Sequence, residues 1–414
     1  MNEKANQTKA HWATTEALDA TWAGMRERRE RSGSRPPATG VDGVTAEGFD
    51  RERGRGLAEI ARRLTRPGDD GATTAYRFAP LLERSIRSAH NKERKVYTPR
   101  IRDQIVLRAL HEALTEVMAT DDPSSRPPPP RRCARRVITE ARLQGRLQVA
   151  RIDVRDFYPS IPHAPLLADL AALPLEPLAR QLLTQILVET PHRPLLCGKG
   201  DDALRTQGVP TGVSVASQLA HLYMQSVDAA LSRADGVTYI RFVDDILIAA
   251  DGPARLEEAV AEVHQALDAR GLTVHAGKGV TTTFEAGFEF LGFWFEGDRV
   301  LVTQPRLDKW LQRLRGIHRK HVVGGLGEAE AFLAALNAEI SGHRGRHIPY
   351  YSLADNVEVY QEVDARIRRL VGGVLRRSGL TTAAVAGAHD WARRYKRDYD
   401  QARARAERMY SPPG

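Results

Sequence analysis

The sequence predicts an α+β fold, and three observations predict it: two apolar strand segments that each deliver aspartate at one end, a helical stretch between them, and an almost entirely helical end. At 414 residues the chain exceeds one ordinary core and falls short of three independent domains, so two or three packed subdomains are expected. Residues 1–35 read as one charged helix that ends in a Ser-Gly-Ser-Arg-Pro-Pro breaker, and residues 39–49 form a turn with a helix beginning near Thr45. Residues 66–75 are loop-like, and Tyr76 to Val96 carry a strand and basic turns. Ile101 to Leu114 places apolar residues at helical spacing, with Asp103 near the start. Residues 121–132 cannot hold regular structure on this reading, because four consecutive prolines remove donors and fix φ. From residue 147, LQVARIDVRDFYPSI gives a strand leading into a turn, and Val237 to Asp251 gives two strands meeting at a tight acidic turn. An amphipathic helix after Leu256 runs to Arg270, followed by strands around 272–275 and 288–302. No internal repeat is present.

Hydrophobic residues at 42% and charged residues at 27% are ordinary for a folded chain. No stretch approaches 18 uninterrupted apolar residues, and the start lacks the apolar core of a secretory signal, so a cytoplasmic protein with no membrane partner is expected. Cys133 and Cys197 stand far apart, outside the spacings of a zinc site or a disulfide framework. Lys and Arg outnumber Asp and Glu by 61 to 52, giving +9 and a pI near 9.6, which suits a phosphate-backbone partner. The excess is uneven: residues 126–155 hold nine Arg, and 299–320 and 366–407 are also Arg-rich. Solvated helix faces would account for the same residues.

The chemistry is carried by Arg-Ile-Asp153-Val and Ile-Arg-Phe-Val-Asp244-Asp245-Ile-Leu-Ile. Apolar strand interiors do not need paired acids, and adjacent carboxylates repel unless a cation sits between them. Mg²⁺ is the natural cation, since it takes one or two protein carboxylates plus substrate phosphates, and nucleotidyl transfer uses two such ions about 4 Å apart. Taken alone, an Asp-Asp pair reads more simply as a hairpin turn.

The accompanying motifs favour the chemical reading. TGVDGVT (Thr39 to Thr45), Lys92-Glu-Arg94-Lys-Val-Tyr with Pro99 and Asp103-Gln-Ile-Val, IDVRDFYPSI, GVPTGVSVASQLAHLYM, RFVDD, GLTVHAGKGV and FEFLGFWF follow one another in order. This ordered set, over residues 38–300, resembles the prokaryotic reverse transcriptases of the retron and group II intron kind. The resemblance implies a right-hand polymerase: an N-terminal helical extension (1–37), fingers (38–145), a palm with an antiparallel sheet flanked by helices (146–300), and a helical thumb and C-terminal region (301–414). It implies a metal set of Asp153, Val154, Asp244 and Asp245, with Asp245 the less direct carboxylate, and two Mg²⁺ ions, Mn²⁺ being the alternative. Tyr158 falls at the steric gate that excludes a 2′-hydroxyl. Arg94 and Lys92 would clamp the triphosphate, and Lys278 would protonate the leaving pyrophosphate.

Three departures stand out. The third palm motif reads Phe242-Val-Asp-Asp rather than YADD. Thr211 and Gly212 follow Pro210 where many members have Pro-Gln-Gly, so the substrate-binding amide is missing. Ala216 stands where the family has Ser and Ser217 where Pro or Gln follows, so the Ser217-Gln218 pair resembles the diversity-generating signature one residue out of register.

The implied partners are an RNA template, a DNA product and dNTPs, with helix Leu307 to His321 and the tryptophans Trp310 and Trp391 offered to a template-primer duplex. A cognate noncoding RNA is expected if the enzyme serves anti-phage defence, to which a stand-alone chain with valine in its third motif is similar. Retron, diversity-generating and domesticated intron roles stay open, as do protein partners and a homo-oligomer. An untemplated or protein-primed polymerase on the same fold, or a silent RNA-binding scaffold, would use the same chain differently.

Overall fold

This computed structural model describes residues 11–32, 37–68, 74–87, 93–119, 127, 129–195, 203–231, 234–275, 279–321, part of 331–339, 353–356 and 358–377. Lys92, Lys278, Cys197 and Trp391 lie outside the described residues. The chain divides into two units, residues 1–129 with 150–280, and residues 130–149 with 281–414.

The helices are α1 (Thr15–Ser32), α2 (Ala46–Arg51), α3 (Arg53–Thr65), α4 (Ile101–Met118), α5 (Pro130–Arg136), α6 (Phe157–Ser160), α7 (His163–Ala172), α8 (Pro177–Thr184), α9 (Ala216–Leu231), α10 (Pro253–Ala269), α11 (Gln304–His321) and α12 (Glu358–Arg377). The strands are β1 (Leu81–Arg87), β2 (Glu93–Thr98), β3 (Gln148–Asp153), β4 (His192–Pro194), β5 (Val237–Phe242), β6 (Asp245–Ala250), β7 (Val280–Thr283), β8 (Phe288–Phe290), β9 (Phe293–Glu296) and β10 (Arg299–Val302).

In the first unit, the N-terminal helix starts later than its charge pattern suggests. A 3₁₀ turn over His11–Ala13 precedes it, and the Thr14 hydroxyl accepts from the Ala17 amide at 3.2 Å. Leu18, Trp22 and Met25, spaced by four and three, are buried against α3 and α4. The Trp22 indole donates to Asp50 at 2.7 Å and meets Phe49 edge-on. The segment is therefore part of this unit's core. The helix expected near Thr45 begins at Ala46, with the Thr45 hydroxyl accepting from Gly48 N at 3.1 Å.

Helix α4 buries Ile101, Ile105, Val106, Leu107, Leu110 and Leu114, a helix apolar on most sides and so placed at the centre. Gly40, from the Thr39–Thr45 motif, packs on its entry. A Cβ there would lie 2.4 Å from Arg100 Cα, so no larger residue fits. Asp103 is fully buried and accepts from Tyr76 Oη (2.6 Å), Ala79 N (3.0 Å) and Arg100 Nε (2.9 Å). Burial pushes its carboxyl up despite these donors, and burial with the Asp103 charge pushes the Tyr76 hydroxyl well above its ordinary value. Asp103→Ala strands a phenol, an amide and a guanidinium, so it is expected to cost about 3 kcal/mol in urea unfolding. An unchanged midpoint would show that the triad is dispensable.

One sheet has the order β2-β1-β4, with β1 antiparallel to β2 from Leu82↔Thr98 to Arg87↔Glu93 and parallel to β4. The central sheet runs β5-β6-β3. Its β5–β6 hairpin pairs Val237↔Ala250 through Phe242↔Asp245. Nearly every residue of both strands is buried, because α9 and α10 cover them. The strand expected at 272–275 is only a single bridge, Val154↔Val274, and the next strand starts at Val280.

In the second unit, α5 corrects the expectation that 121–132 holds no regular structure. Pro130 is its first residue, a position where the missing N–H costs nothing and the fixed φ is already helical. The sheet β10-β9-β8 turns tightly at Leu291 and Gly292, both at positive φ as a two-residue hairpin of the I′ kind requires. Phe284, Phe288, Phe293 and Phe295 form its aromatic core. The amides of Val300 and Val302 donate to the Asp355 and Asn356 side chains, which satisfies the outer edge of β10. In α11, Trp310, Leu311 and Leu314 are buried while Lys309, Arg313, Arg315, Arg319 and Lys320 are exposed. Among the described residues, no helix is long and apolar enough to cross a membrane.

Candidate active site

All of the site lies in the first unit. Asp153 ends β3, and Val243-Asp244 form the two-residue tip between β5 and β6, with Asp245 opening β6. The Val154 amide donates to the Asp244 carbonyl at 3.3 Å, and the His275 amide donates to the Asp153 carbonyl at 2.9 Å. These backbone bonds bring the end of β3 against the hairpin tip.

The tip is strained. A two-residue hairpin turn needs φ > 0 at its first central position, where glycine is usual, and Val243 sits there at φ 60°. A β-branched residue in this region costs of order 1–3 kcal/mol and persists only when its surroundings fix it. Arg241 Nη1 holds the Val243 carbonyl at 3.1 Å. The same guanidinium grips Asp228 through Nε (2.7 Å) and Nη2 (2.5 Å) and donates to His221 Nδ1 (3.1 Å). Val243→Gly should relieve the strain, stabilising the protein by about 1 kcal/mol while lowering the activity of the site, because a freely turning tip no longer fixes Asp244. Denaturant midpoints and single-turnover rates measured on one preparation check both halves.

The Asp244 carboxyl is pushed above its ordinary value, first by burial and then by the charges of Asp153 and Asp245. The Asp244 amide and Arg94 oppose the shift. The site therefore holds carboxylates that press on one another and an arginine, exposed on β2, whose field reaches them. Tyr158, half-buried on α6 and edge-on to Phe157, shares this field: burial and Asp244 raise its hydroxyl, and Arg241 opposes.

The Thr211-Gly212 segment is anchored at both ends. The Val209 amide donates to the Tyr158 carbonyl at 2.8 Å, and the Tyr97 amide donates to the Thr211 carbonyl at 2.7 Å. The Thr211 hydroxyl donates to the Lys95 carbonyl at 2.6 Å, so this side chain ties the loop to β2. Gly212 has φ 102°, and a Cβ would lie 2.7 Å from the Tyr97 carbonyl oxygen, so backbone meets backbone there.

The structure thus brings Asp153, Val154, Asp244, Asp245, Tyr158 and Arg94 into one neighbourhood and sets Thr211 and Gly212 beside β2. Two residues escaped the sequence reading, Arg151 and Arg241. Arg151 stands two positions before Asp153 on β3 and so on the same strand face, and that spacing was the available signal; Arg241, next to last in β5, gave none. Arg151 donates to both oxygens of Asp245, Nε to Oδ1 at 2.8 Å and Nη2 to Oδ2 at 2.9 Å.

Among the described residues, no three His, Cys, Asp or Glu are arranged to hold a metal ion. Asp245 is engaged by Arg151, and Asp153 and Asp244 stand beside it at the end of β3 and the hairpin tip. Two hard, mutually repelling carboxylates fit a divalent ion that completes its shell with substrate phosphates and water.

No curated protein matches the sequence. Among solved structures, apo telomerase from Candida tropicalis without its C-terminal domain aligns at 14% identity and TM-score 0.45, over 56% of this chain and 56% of that one. The fuller apo telomerase from Candida tropicalis gives 12% identity and TM-score 0.49, over 86% of this chain and 68% of that one. Telomerase from Candida albicans with a TWJ fragment of telomeric RNA gives 10% and 0.42, over 79% and 62%. The chain spans little more than half the length of the first of these. The family model for reverse transcriptase (RNA-dependent DNA polymerase) matches residues 86–295, which is 210 of 414 residues and contains every described side chain of the site. The chain belongs to the reverse transcriptase (RNA-dependent DNA polymerase) family.

Proposed function

We propose that the protein is an RNA-directed DNA polymerase that adds dNTPs to a 3′-end, with Asp153 and Asp244 holding two Mg²⁺ ions. The observation that carries this reading is the meeting of these carboxylates at a strained hairpin tip, within the field of Arg94 and beside Tyr158. When bound, the divalent ions lower the pKa of the 3′-hydroxyl and neutralise the triphosphate. Arg94 binds phosphate oxygens and Lys92 assists it. Tyr158 presents its ring to the sugar and excludes a 2′-hydroxyl. The backbone of Thr211 and Gly212 lines the nucleotide site, and Lys278 supplies a proton to pyrophosphate. Residues 38–145 act as fingers, 146–300 as palm and 301–414 as thumb. The exposed Lys309, Arg313 and Lys320 of α11 contact the phosphates of a template-primer duplex.

The biological role we favour is anti-phage defence in a bacterium, with a cognate noncoding RNA as template, on the strength of the valine in Phe242-Val-Asp-Asp. A noncoding RNA gene beside the coding sequence supports the defence or retron role over the others, whereas a template repeat paired with a variable-protein gene favours diversification.

The test of the activity is extension of a labelled DNA primer on an RNA template with Mg²⁺ and dNTPs, comparing the native chain with Asp244→Ala/Asp245→Ala. Extension by the native chain alone supports the assignment, and equal extension by both overturns it. Tyr158→Ala is expected to raise incorporation of NTPs relative to dNTPs by about tenfold to a hundredfold; an unchanged ratio removes the gate from this residue.

A further inference from the structure

The carboxylates of this site are not equivalent. Arg151 and Asp153 share one face of β3, because side chains alternate along a strand. Asp153 reaches the hairpin tip, and Arg151 reaches across to the first residue of β6. There the guanidinium meets Asp245 in the fork-to-fork geometry that only arginine offers a carboxylate. Asp245 is shielded, its side chain only 16% exposed, so its charge is poorly screened and the pairing counts for more than at an open surface. The bidentate pair fixes the direction of the Asp245 carboxylate and offsets its charge, so that only the remaining lone pair of each oxygen is left to another cation. Asp244, the neighbouring residue, has no such partner among the hydrogen bonds and ion pairs of the described residues.

We propose that Arg151 is a positioning residue that withholds Asp245 from the metal ions, so that they are held by Asp153 and Asp244 against two effective negative charges rather than three. The proposal rests on the polymerase reading above. It makes a prediction whose sign separates it from a merely structural role. A loosened strand weakens metal binding, whereas removal of a withholding cation strengthens it. A unit charge about 6 Å from a divalent ion changes its affinity by about tenfold even at the dielectric constant of water.

The experiment is a titration of the full-length chain with Mn²⁺ alone, read by the electron paramagnetic resonance of free Mn²⁺, on the native protein, Arg151→Gln, Asp245→Asn and the double variant. Arg151→Gln is expected to bind Mn²⁺ about tenfold more tightly and Asp245→Asn about tenfold more weakly, with the double variant within about twofold of native. Arg151→Lys, which keeps the charge and loses the fork, is expected to bind as the native chain does while extending a primer more slowly. The same order is read a second way, in the Mg²⁺ concentration for half-maximal primer extension. If Arg151→Gln binds no more tightly than native in either measurement, the proposal is overturned. Failure of the polymerase reading looks different: the native chain would then extend no primer, and Asp153→Asn and Asp244→Asn would leave Mn²⁺ binding unchanged.

Discussion

Asp244→Asn is expected to lower the single-turnover rate of primer extension by at least about a thousandfold while making the metal-free protein more stable. The rate loss follows from removing one of the two carboxylates proposed to hold the divalent ions, whose charge stabilisation supplies several kcal/mol at about 1.4 kcal/mol per decade. The stability gain has the opposite origin. Burial, and then the charges of Asp153 and Asp245, hold the Asp244 carboxyl above its ordinary value. An acid that binds its proton more tightly when folded adds stability at low pH and loses it as pH rises through the folded pKa. At neutral pH the native chain therefore carries an unrelieved repulsion, of about 1 kcal/mol for charges 4 Å apart in water, that the asparagine variant lacks. The gap between the two proteins should be widest near pH 7 and close as pH falls toward the ordinary aspartate value of 3.8. Denaturation with chelator present, at several pH values, measures it. A variant that is inactive and also less stable at pH 7 would show that Asp244 serves the fold rather than the metal. Asp153→Asn is expected to match the rate loss.

Arg241→Met should cost about 3–5 kcal/mol of stability and remove most of the activity. The guanidinium is 5% exposed and serves three masters: the Asp228 carboxylate, His221 Nδ1 and the Val243 carbonyl. Methionine fills the volume but leaves Asp228 without its bidentate partner, in contact with the deeply buried Tyr239 hydroxyl. It also releases the carbonyl of the residue held at positive φ, and a turn that prefers glycine then has nothing to keep valine in it. The double variant with Asp228→Asn should recover part of the stability, since the unpaired charge is gone, and little of the activity, since the turn is still unheld. Full recovery of activity in the double variant would make the turn contact incidental.

The fold was legible where pattern and chemistry agreed. Val237 to Ala250 announced a hairpin through two apolar runs around an acidic pair, and α4 announced itself through apolar spacing. Pro130 shows the opposite case: a rule about helix interiors was applied to a helix start, where proline is welcome. The bridge at Val274 and the π-helical turns at Val137–Ala141 and Gln185–Glu189 depend on partners distant in sequence or on irregular hydrogen bonding that composition does not encode. In the site, motif order singled out Asp153, Asp244, Asp245 and Tyr158. What it could not supply was the direction of each carboxylate. That Asp245 faces Arg151 is a property of strand register, and register becomes visible only when both strands are in place.

The contact of Gly212 with Tyr97, backbone against backbone, makes β2 and the Thr211-Gly212 loop a single mechanical part. Three bonds run in series from Lys95 and Tyr97 through Thr211, and from Val209 to Tyr158, with no flexible side chain to absorb slack at Gly212. A displacement of β2 is transmitted along this linkage to Tyr158, so that, with the roles proposed for Arg94 and Tyr158, grip on the phosphates and scrutiny of the sugar become one event rather than two. Gly212→Ala would insert a spacer of about one methyl group into that linkage, and its signature would be a polymerase that still binds dNTPs and has lost the timing between holding them and judging them.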